Sequence, residues 1–408
     1  MPSRAGVAAR SVARYASLLH AEIGAVHHAA SPLGAWLLLA LAAPAADGAD
    51  REGLTEILGC DIGTAAAAAA DLIKHPHHLV PNAAAVWTAN GAPLDERFEK
   101  FRTTLPSQVA TGALPDQAGL DRWAHDHTLG LIDSFPVRWD ESLYLVLATA
   151  LATKVSWRTP FDLAPATSLG SMSPWAAQVT RVLRTPEDDR NRDHDQFICS
   201  TPDVGEVAVH VAAAVEGLLV ISVAAQPDIP ASEVIAAAHR IGMAVALGAD
   251  LPRRDLADLP LGEGRLWLLR EETSTESDAC VALLPAWSAQ SLHDLHDPAL
   301  GFGLLVRSLT DGRDPWDAQQ AVQARYSRTG FEAAAVTAAA VYLSARLGTR
   351  RRRVAELRFG HPYAVVAFTL DEVVSGQAGQ QSLWNALPVF SAWVAAPEEP
   401  TDDRSQRT

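Results

Sequence analysis

The chain has 408 residues, of which 48% are hydrophobic, enough to bury a large core. Its formal net charge of −15 argues against a nucleic-acid partner, because the phosphate backbone repels an acidic surface. Three widely spaced cysteines, Cys60, Cys199 and Cys280, suit buried free thiols better than a disulfide framework or a metal site.

Residues 8 to 24 carry helical periodicity through Val12, Tyr15, Leu18, Leu19 and Ile23. Arg4, Arg10 and Arg14 are not followed by an uninterrupted apolar segment, which predicts no signal peptide and a cytoplasmic protein, with release by a non-classical route left open. At Ser31-Pro32 a capping hydroxyl and a preset backbone angle open a helix, and its apolar run, Leu33 to Ala43, is too short to span a bilayer and reads as buried. Glu56 to Gly59 reads as a helix end and Ala83 to Trp87 as a strand. Between them, Lys74-His75-Pro76-His77-His78 reads as a solvated loop, since the proline breaks the spacing that a paired metal site would use.

A helix is predicted over Leu120 to Ile132, with Gly130 suited to a backward turn at its end. Leu143 to Ala152 is a nearly continuous apolar run, as in a strand buried on both faces. Residues 184 to 196 read as a charged loop, Val207 to Val211 and Leu218 to Ala224 as strands, and Ser232 to Met243 as a helix opened by its serine. His293 and Asp294 are neighbours that do not face each other, so they do not form a catalytic pair.

The segment from Thr329 to Arg346 has two readings. Its alanine content favours helix. If extended, it places Phe331, Ala333, Ala335, Thr337, Ala339, Val341 and Leu343 on one uncharged face, with Glu332, Ala334, Val336, Ala338, Ala340 and Tyr342 on the other. Such a ribbon could slide between two existing strands and bury one side.

The order of these motifs resembles that of the serpins, protease inhibitors with a cleavable loop. Gly330-Phe331-Glu332-Ala333-Ala334-Ala335-Val336-Thr337-Ala338 is similar to the reactive-loop hinge, upstream of Phe359-Gly360-His361-Pro362-Tyr363. Ser31-Pro32-Leu33-Gly34 resembles the start of the long core helix, and Trp123, Thr128, Gly130 and Ile132 fit the helix that crosses the central sheet. Lys154-Val155-Ser156-Trp157-Arg158-Thr159-Pro160-Phe161 resembles the motif at the top of that sheet, with Trp157 where the loop begins to insert. Leu284-Pro285-Ala286-Trp287 and the segments 361–368 and 388–397 match further strands.

The resemblance, to a divergent bacterial member, implies an α+β fold. It would have a large central, mostly antiparallel sheet, further sheets, about eight to nine helices and an exposed reactive-centre loop. It implies a single domain over residues 1–397, followed by a charged, disordered tail over 398–408. It also implies a monomer whose partner is a target protease of the serine or cysteine class, with no catalytic residue, cofactor or metal of its own. The scissile bond is expected at Ser344-Ala345, with Arg346-Leu347 as second choice for a trypsin-like enzyme. A cut inside Arg350 to Arg353 would suit a dibasic protease, whereas the plainer reading of that run is a solvated loop.

Departures from the pattern mark where inhibition is in question. Gly34, Thr149 and Gln320 stand where serpins have serine, asparagine and histidine, so the polar cluster under the opening strands needs other partners. Val155 replaces glycine, Trp287 phenylalanine and Arg328 glutamate. Phe331 occupies the first inward hinge position, where an overpacked ring costs about 1–3 kcal/mol. A non-inhibitory scaffold of the same fold is therefore the alternative. An enzyme is not expected, for want of a Gly-x-Ser-x-Gly elbow, a phosphate loop or a zinc helix.

Overall fold

The computed structural model describes residues 3–89, 96–140, 143–187, 193–215, 217–274, 278–310, 317–331, 350–370 and 382–401. The chain begins α1 (Arg4–Ile23), β1 (His28–Ala30), α2 (Pro32–Ala42), α3 (Gly48–Leu58), α4 (Ile62–Lys74), β2 (Asn82–Thr88), α5 (Glu96–Thr104), β3 (Ala110–Ala113) and α6 (Gln117–His127). Its middle runs β4 (Leu145–Leu151), β5 (Val155–Ser156), β6 (Asp162–Pro165), β7 (Arg181–Arg184), β8 (His194–Thr201), β9 (Gly205–Ala213), β10 (Leu218–Ala224) and α7 (Ala231–Ala246). The last third gives β11 (Gly262–Glu263), β12 (Trp267–Ser274), β13 (Ala279–Leu284), β14 (Trp287–Asp294), α8 (Phe302–Thr310) and β15 (Gln319–Tyr326). It closes with β16 (Gly330–Phe331), β17 (Arg350–Arg358), β18 (Tyr363–Thr369) and β19 (Pro388–Val394).

Local chemistry explains the boundaries. Ser3 Oγ accepts from Gly6 N at 3.2 Å, so α1 starts before its apolar stripe does. Ser31 Oγ accepts from Gly34 N at 3.3 Å and Pro32 sits in the first turn, opening α2, whose side chains other than half-buried Leu38 are buried. Gly59, with φ of 71°, ends α3 in a left-handed cap. The predicted helix over Leu120 to Ile132 stops earlier. Leu129 and Gly130 both take positive φ and Gly130 N returns to His125 O at 3.0 Å, so α6 ends at His127. Ser232 does not cap α7, which begins one residue earlier, after Pro230.

Two six-stranded sheets, β1-β19-β18-β10-β9-β8 and β11-β12-β17-β13-β7-β6, touch each other through β8 with β13 and β9 with β17, and a central layer is made of two pieces, β14-β15-β16-β5 and β3-β2-β4. Pairing is antiparallel except for β2 with β3 and β13 with β17. Helix α2 runs through the core against β4 and β19. Strands β18 and β19 are buried along their full length. No helix among the described residues is long and apolar enough to cross a membrane.

Candidate functional site

The central layer is parted along its lower half. β4 leads into β5 through three residues, yet β4 pairs with β2 while β5 pairs with β16. Among the described residues no ladder joins β4 to β15. A cleft lies between them, lined by Leu147 and Thr149 of β4, Gln320 and Val322 of β15, Leu38 of α2 beneath, and Phe331. Leu145, Leu147, Thr149 and Leu151 are accordingly only half-buried, whereas the sequence suggested a strand enclosed on both faces.

The segment expected to be the hinge starts at the top of this cleft. Gly330 pairs with Ser156, and Phe331 pairs with Val155 on one side and Tyr326 on the other. The reversal that brings them there is closed by hydrogen bonds from Ser327 N and Ser327 Oγ to Gly330 O, at 2.9 and 3.0 Å. Neighbouring backbone holds it from outside: Trp157 N donates to Thr329 O and Phe161 N to Arg328 O, each at 3.0 Å, while Arg328 Nε donates to Phe161 O at 2.9 Å. Arg328 thus has a definite role in clamping the turn.

Trp157 follows β5 directly and lies beside the turn that leads into Gly330. Its indole N–H donates to Ser327 O at 3.0 Å, and its ring lies 5.0 Å from Tyr326 and 6.1 Å from Phe161. Trp287 stacks on Tyr326 at 6.0 Å. Phe331, only 3% exposed, docks against Trp287 at 6.3 Å. The ring that was expected to overpack the hinge therefore sits in an aromatic box made for it. Tyr326 was not singled out in the sequence, although it ends the alternating run of β15 that the hinge pairs with.

Behind the box His194 and His210 are buried against Phe161, at 4.6 and 5.5 Å. His194 Nε2–H donates to Thr159 O at 2.8 Å, so its Nδ1 accepts from His210 Nε2–H at 3.1 Å. Burial lowers the pKa of His194, and burial together with His194 lowers that of His210 well below the usual histidine range.

The substituted polar cluster is rebuilt with other partners. Gln320 grips the backbone of Ser31 at both ends, Nε2 donating to Ser31 O at 2.9 Å and Oε1 accepting from Ser31 N at 3.0 Å. Thr149 Oγ1 donates to Gly34 O at 2.9 Å, and Ser31 Oγ to Val389 O at 3.3 Å. Gly34 has a steric reason: a Cβ there would meet Leu151 at 3.1 Å and Ser31 and Thr149 at 3.3 Å. Ser31, Gly34, Thr149 and Gln320 are thus one connected unit joining α2, β4 and β15.

The arginine run is a strand and not the solvated loop expected of its charge. Arg350 to Arg353 open β17 and are paired with β12 from Ser274 to Glu271, so they form no solvated loop and offer no extended bait. Arg352, 8% exposed, bonds Glu272 at 2.6 Å and Glu187 at 2.9 Å, and these contacts help hold the Glu272 carboxyl below its usual range. Arg353 donates to the carbonyls of Leu256 and Ala257 at 2.7 and 2.8 Å. The acidic partners lie on another strand and in another loop, out of reach of a reading of the run alone.

Of the expected hinge, Gly330 and Phe331 are placed. Glu332, Ala333, Ala334, Ala335, Val336, Thr337 and Ala338, and the proposed bonds Ser344-Ala345 and Arg346-Leu347, lie outside the described residues.

No family model and no curated protein matches the sequence. In shape the chain is similar to several solved serpins. The thermophilic serpin tengpin in its native state superposes with a TM-score of 0.62 at 13% identity, covering 96% of this chain and 93% of that one. Human thyroxine-binding globulin complexed with thyroxine gives 0.63 at 12%, covering 97% and 100%. Serpin48, described as a highly specific serpin of the insect Tenebrio molitor, gives 0.57 at 14%, covering 95% and 98%. The chain has the serpin fold, an α+β architecture with eight helices among its described residues. Identities this low carry the architecture and leave activity to the site itself.

Proposed function

We propose that this protein is a serpin-type protease inhibitor acting as a suicide substrate. The protease's nucleophilic oxygen or sulfur attacks the carbonyl of Ser344, an acyl bond forms, the peptide C–N bond breaks, and the amine of Ala345 leaves with a proton. The freed ribbon, Phe331 through Leu343, then enters the cleft beside β15 and carries the acylated enzyme with it. Extended, that ribbon covers about 40 Å, as does the edge from Leu145 to Ser156 that would receive it. Alternate small side chains, Ala333, Ala335 and Thr337, would face inward below Phe331.

One observation carries this reading: the hinge is already paired between β15 and β5 at the head of a cleft where β4 and β15 are not bonded to each other. In this reading residues 1–397 form one domain, the protein is monomeric and cytoplasmic, and it needs no cofactor, metal or catalytic residue. Incubation with trypsin-, elastase- and subtilisin-like proteases, resolved on a denaturing gel, tests it. A covalent band supports it, whereas clipping with no covalent band and no gain in thermal stability supports the second reading. That reading, a binding or scaffold protein that has lost insertion, draws on Phe331, whose ring fills the box where serpins present a small hydroxyl residue.

A further inference from the structure

The chain does not leave the surface after β19. Glu398 N donates to Ala286 O at 2.7 Å, and its carboxylate accepts from Ser288 Oγ at 2.5 Å. The Glu399 carboxylate accepts from Thr180 N, Thr180 Oγ1 and Arg181 Nε at 2.8, 2.7 and 3.1 Å. Arg181 also reaches Pro400 O at 3.2 Å, and Arg325 donates to Thr401 Oγ1 at 3.1 Å. The segment expected to open a disordered tail is thus held through residue 401. His27 bridges the approach to it, donating Nε2–H to Ser288 O at 2.8 Å and accepting at Nδ1 from Ala395 N at 3.0 Å.

These contacts converge on three elements. Arg181 opens β7, Ser288 lies in β14 next to Trp287, and Arg325 lies in β15 next to Tyr326. Trp287 and Tyr326 are the walls of the Phe331 seat. The segment makes no hydrogen bond to β2, β3 or β4 among the described residues, so it braces one side of the cleft only. Burial would raise the Glu399 carboxyl, but the bonds from Thr180 and Arg181 outweigh it and hold the group at about 2, so the brace is charged throughout the neutral range.

We propose that residues 398–401 form a latch that ties the upper ends of β14 and β15 to β7. By fixing the seat of Phe331, the latch keeps the intact protein from yielding at the cleft. Its functional consequence rests on the loop-insertion reading, whereas its existence can be measured without any protease. Hydrogen exchange on the intact protein is compared between the native chain, Glu399→Gln, and a chain stopped after Pro397. The latch predicts exchange at least tenfold faster in 287–294 and 319–326 for both variants, with β9 and β10 unchanged, and faster loss of the native form on warm incubation. Unchanged exchange in the shortened chain, or an equal rise throughout the molecule, overturns it. Faster exchange confined to β14 and β15, in a protein whose loop-cut form gains no thermal stability, keeps the latch and discards the insertion reading.

Discussion

Phe331 meets Trp287 edge to face, with ring centroids 6.3 Å apart and planes inclined at 66°. The contact joins the proposed hinge to β14 across β15, and it shows how a bulky ring is accommodated at position 331. Tyr326, the strand partner of Phe331, completes the seat and is itself backed by Trp157 at 5.0 Å, and both Phe331 and Tyr326 are buried. A seat this well packed stabilises the start of the hinge and also makes it costly to shift.

Replacing the ring should therefore separate stability from inhibition. Phe331→Thr is expected to cost the intact protein about 3–5 kcal/mol, the range for truncating a buried aromatic side chain. If Phe331 slows the ribbon behind it, the same variant should form covalent complex at a lower inhibitor-to-protease ratio. Titration against one protease, with melting curves of the uncut variant, checks both. A variant that melts as the native chain does would mean that the box is not a packed unit.

The rebuilt cluster makes a second prediction. Gln320→Ala leaves the Ser31 N–H without the acceptor it has in Gln320 and the Ser31 carbonyl with Ala35 N, and is expected to destabilise the protein by about 1–3 kcal/mol. Gly34→Ala forces a methyl group against Leu151, Ser31 and Thr149 and should cost a similar 1–3 kcal/mol. Denaturant melts of the two variants measure these losses. The family's own serine at position 34 is expected to destabilise here as well, unless Thr149 is changed with it.

Most of the fold was legible in the sequence because its markers are local: Ser31-Pro32 capping α2, Gly59 ending α3, and the buried runs of β18 and β19. What could not be read depends on distant pairing. The partners of Arg352 come from residues 187 and 272, so the run looked like solvent-facing charge. Gln320 looked like a loss because the backbone it grips is 289 positions away. The binding of Glu399 to Thr180 was hidden because the tail's composition alone suggested disorder.

The pairing of the arginine run can be tested directly. Backbone bonded into a strand cannot enter a protease cleft in extended form, so brief trypsin treatment of the native protein should leave the bonds after Arg351, Arg352 and Arg353 intact. Mass mapping of the fragments reads this. Glu272→Gln, which weakens one partner of Arg352, should change little by itself, because Glu187 remains bonded.

Acid should weaken the protein through buried neutral histidines. His28 Nδ1–H donates to Val26 O, so its Nε2 accepts from His20 Nδ1–H at 2.7 Å, and Ser391 Oγ–H in turn donates to His20 Nε2 at 2.6 Å. Burial takes His28 and His239 down to about 4, and burial with the neighbouring histidines takes His20 lower than its usual range. Unfolded, these groups take up protons near pH 6.5. Between pH 6.5 and about 4 the unfolded state thus binds more protons than the folded one, and stability falls as pH falls, by up to about 1.4 kcal/mol per pH unit for each histidine. Neither ring nitrogen of His239 has a hydrogen-bond partner among the described residues. His239→Leu should therefore reduce the acid slope by about one proton without loss at neutral pH, as read from denaturant melts across that window.

The most direct test is the melting temperature and hydrogen exchange of the protein after a single cut between residues 338 and 349, compared with the uncut chain. Insertion predicts a large rise in melting temperature and new protection of residues 332–343 together with β4 and β15. An unchanged melting temperature, with no protection gained at residues 332–343, would contradict it.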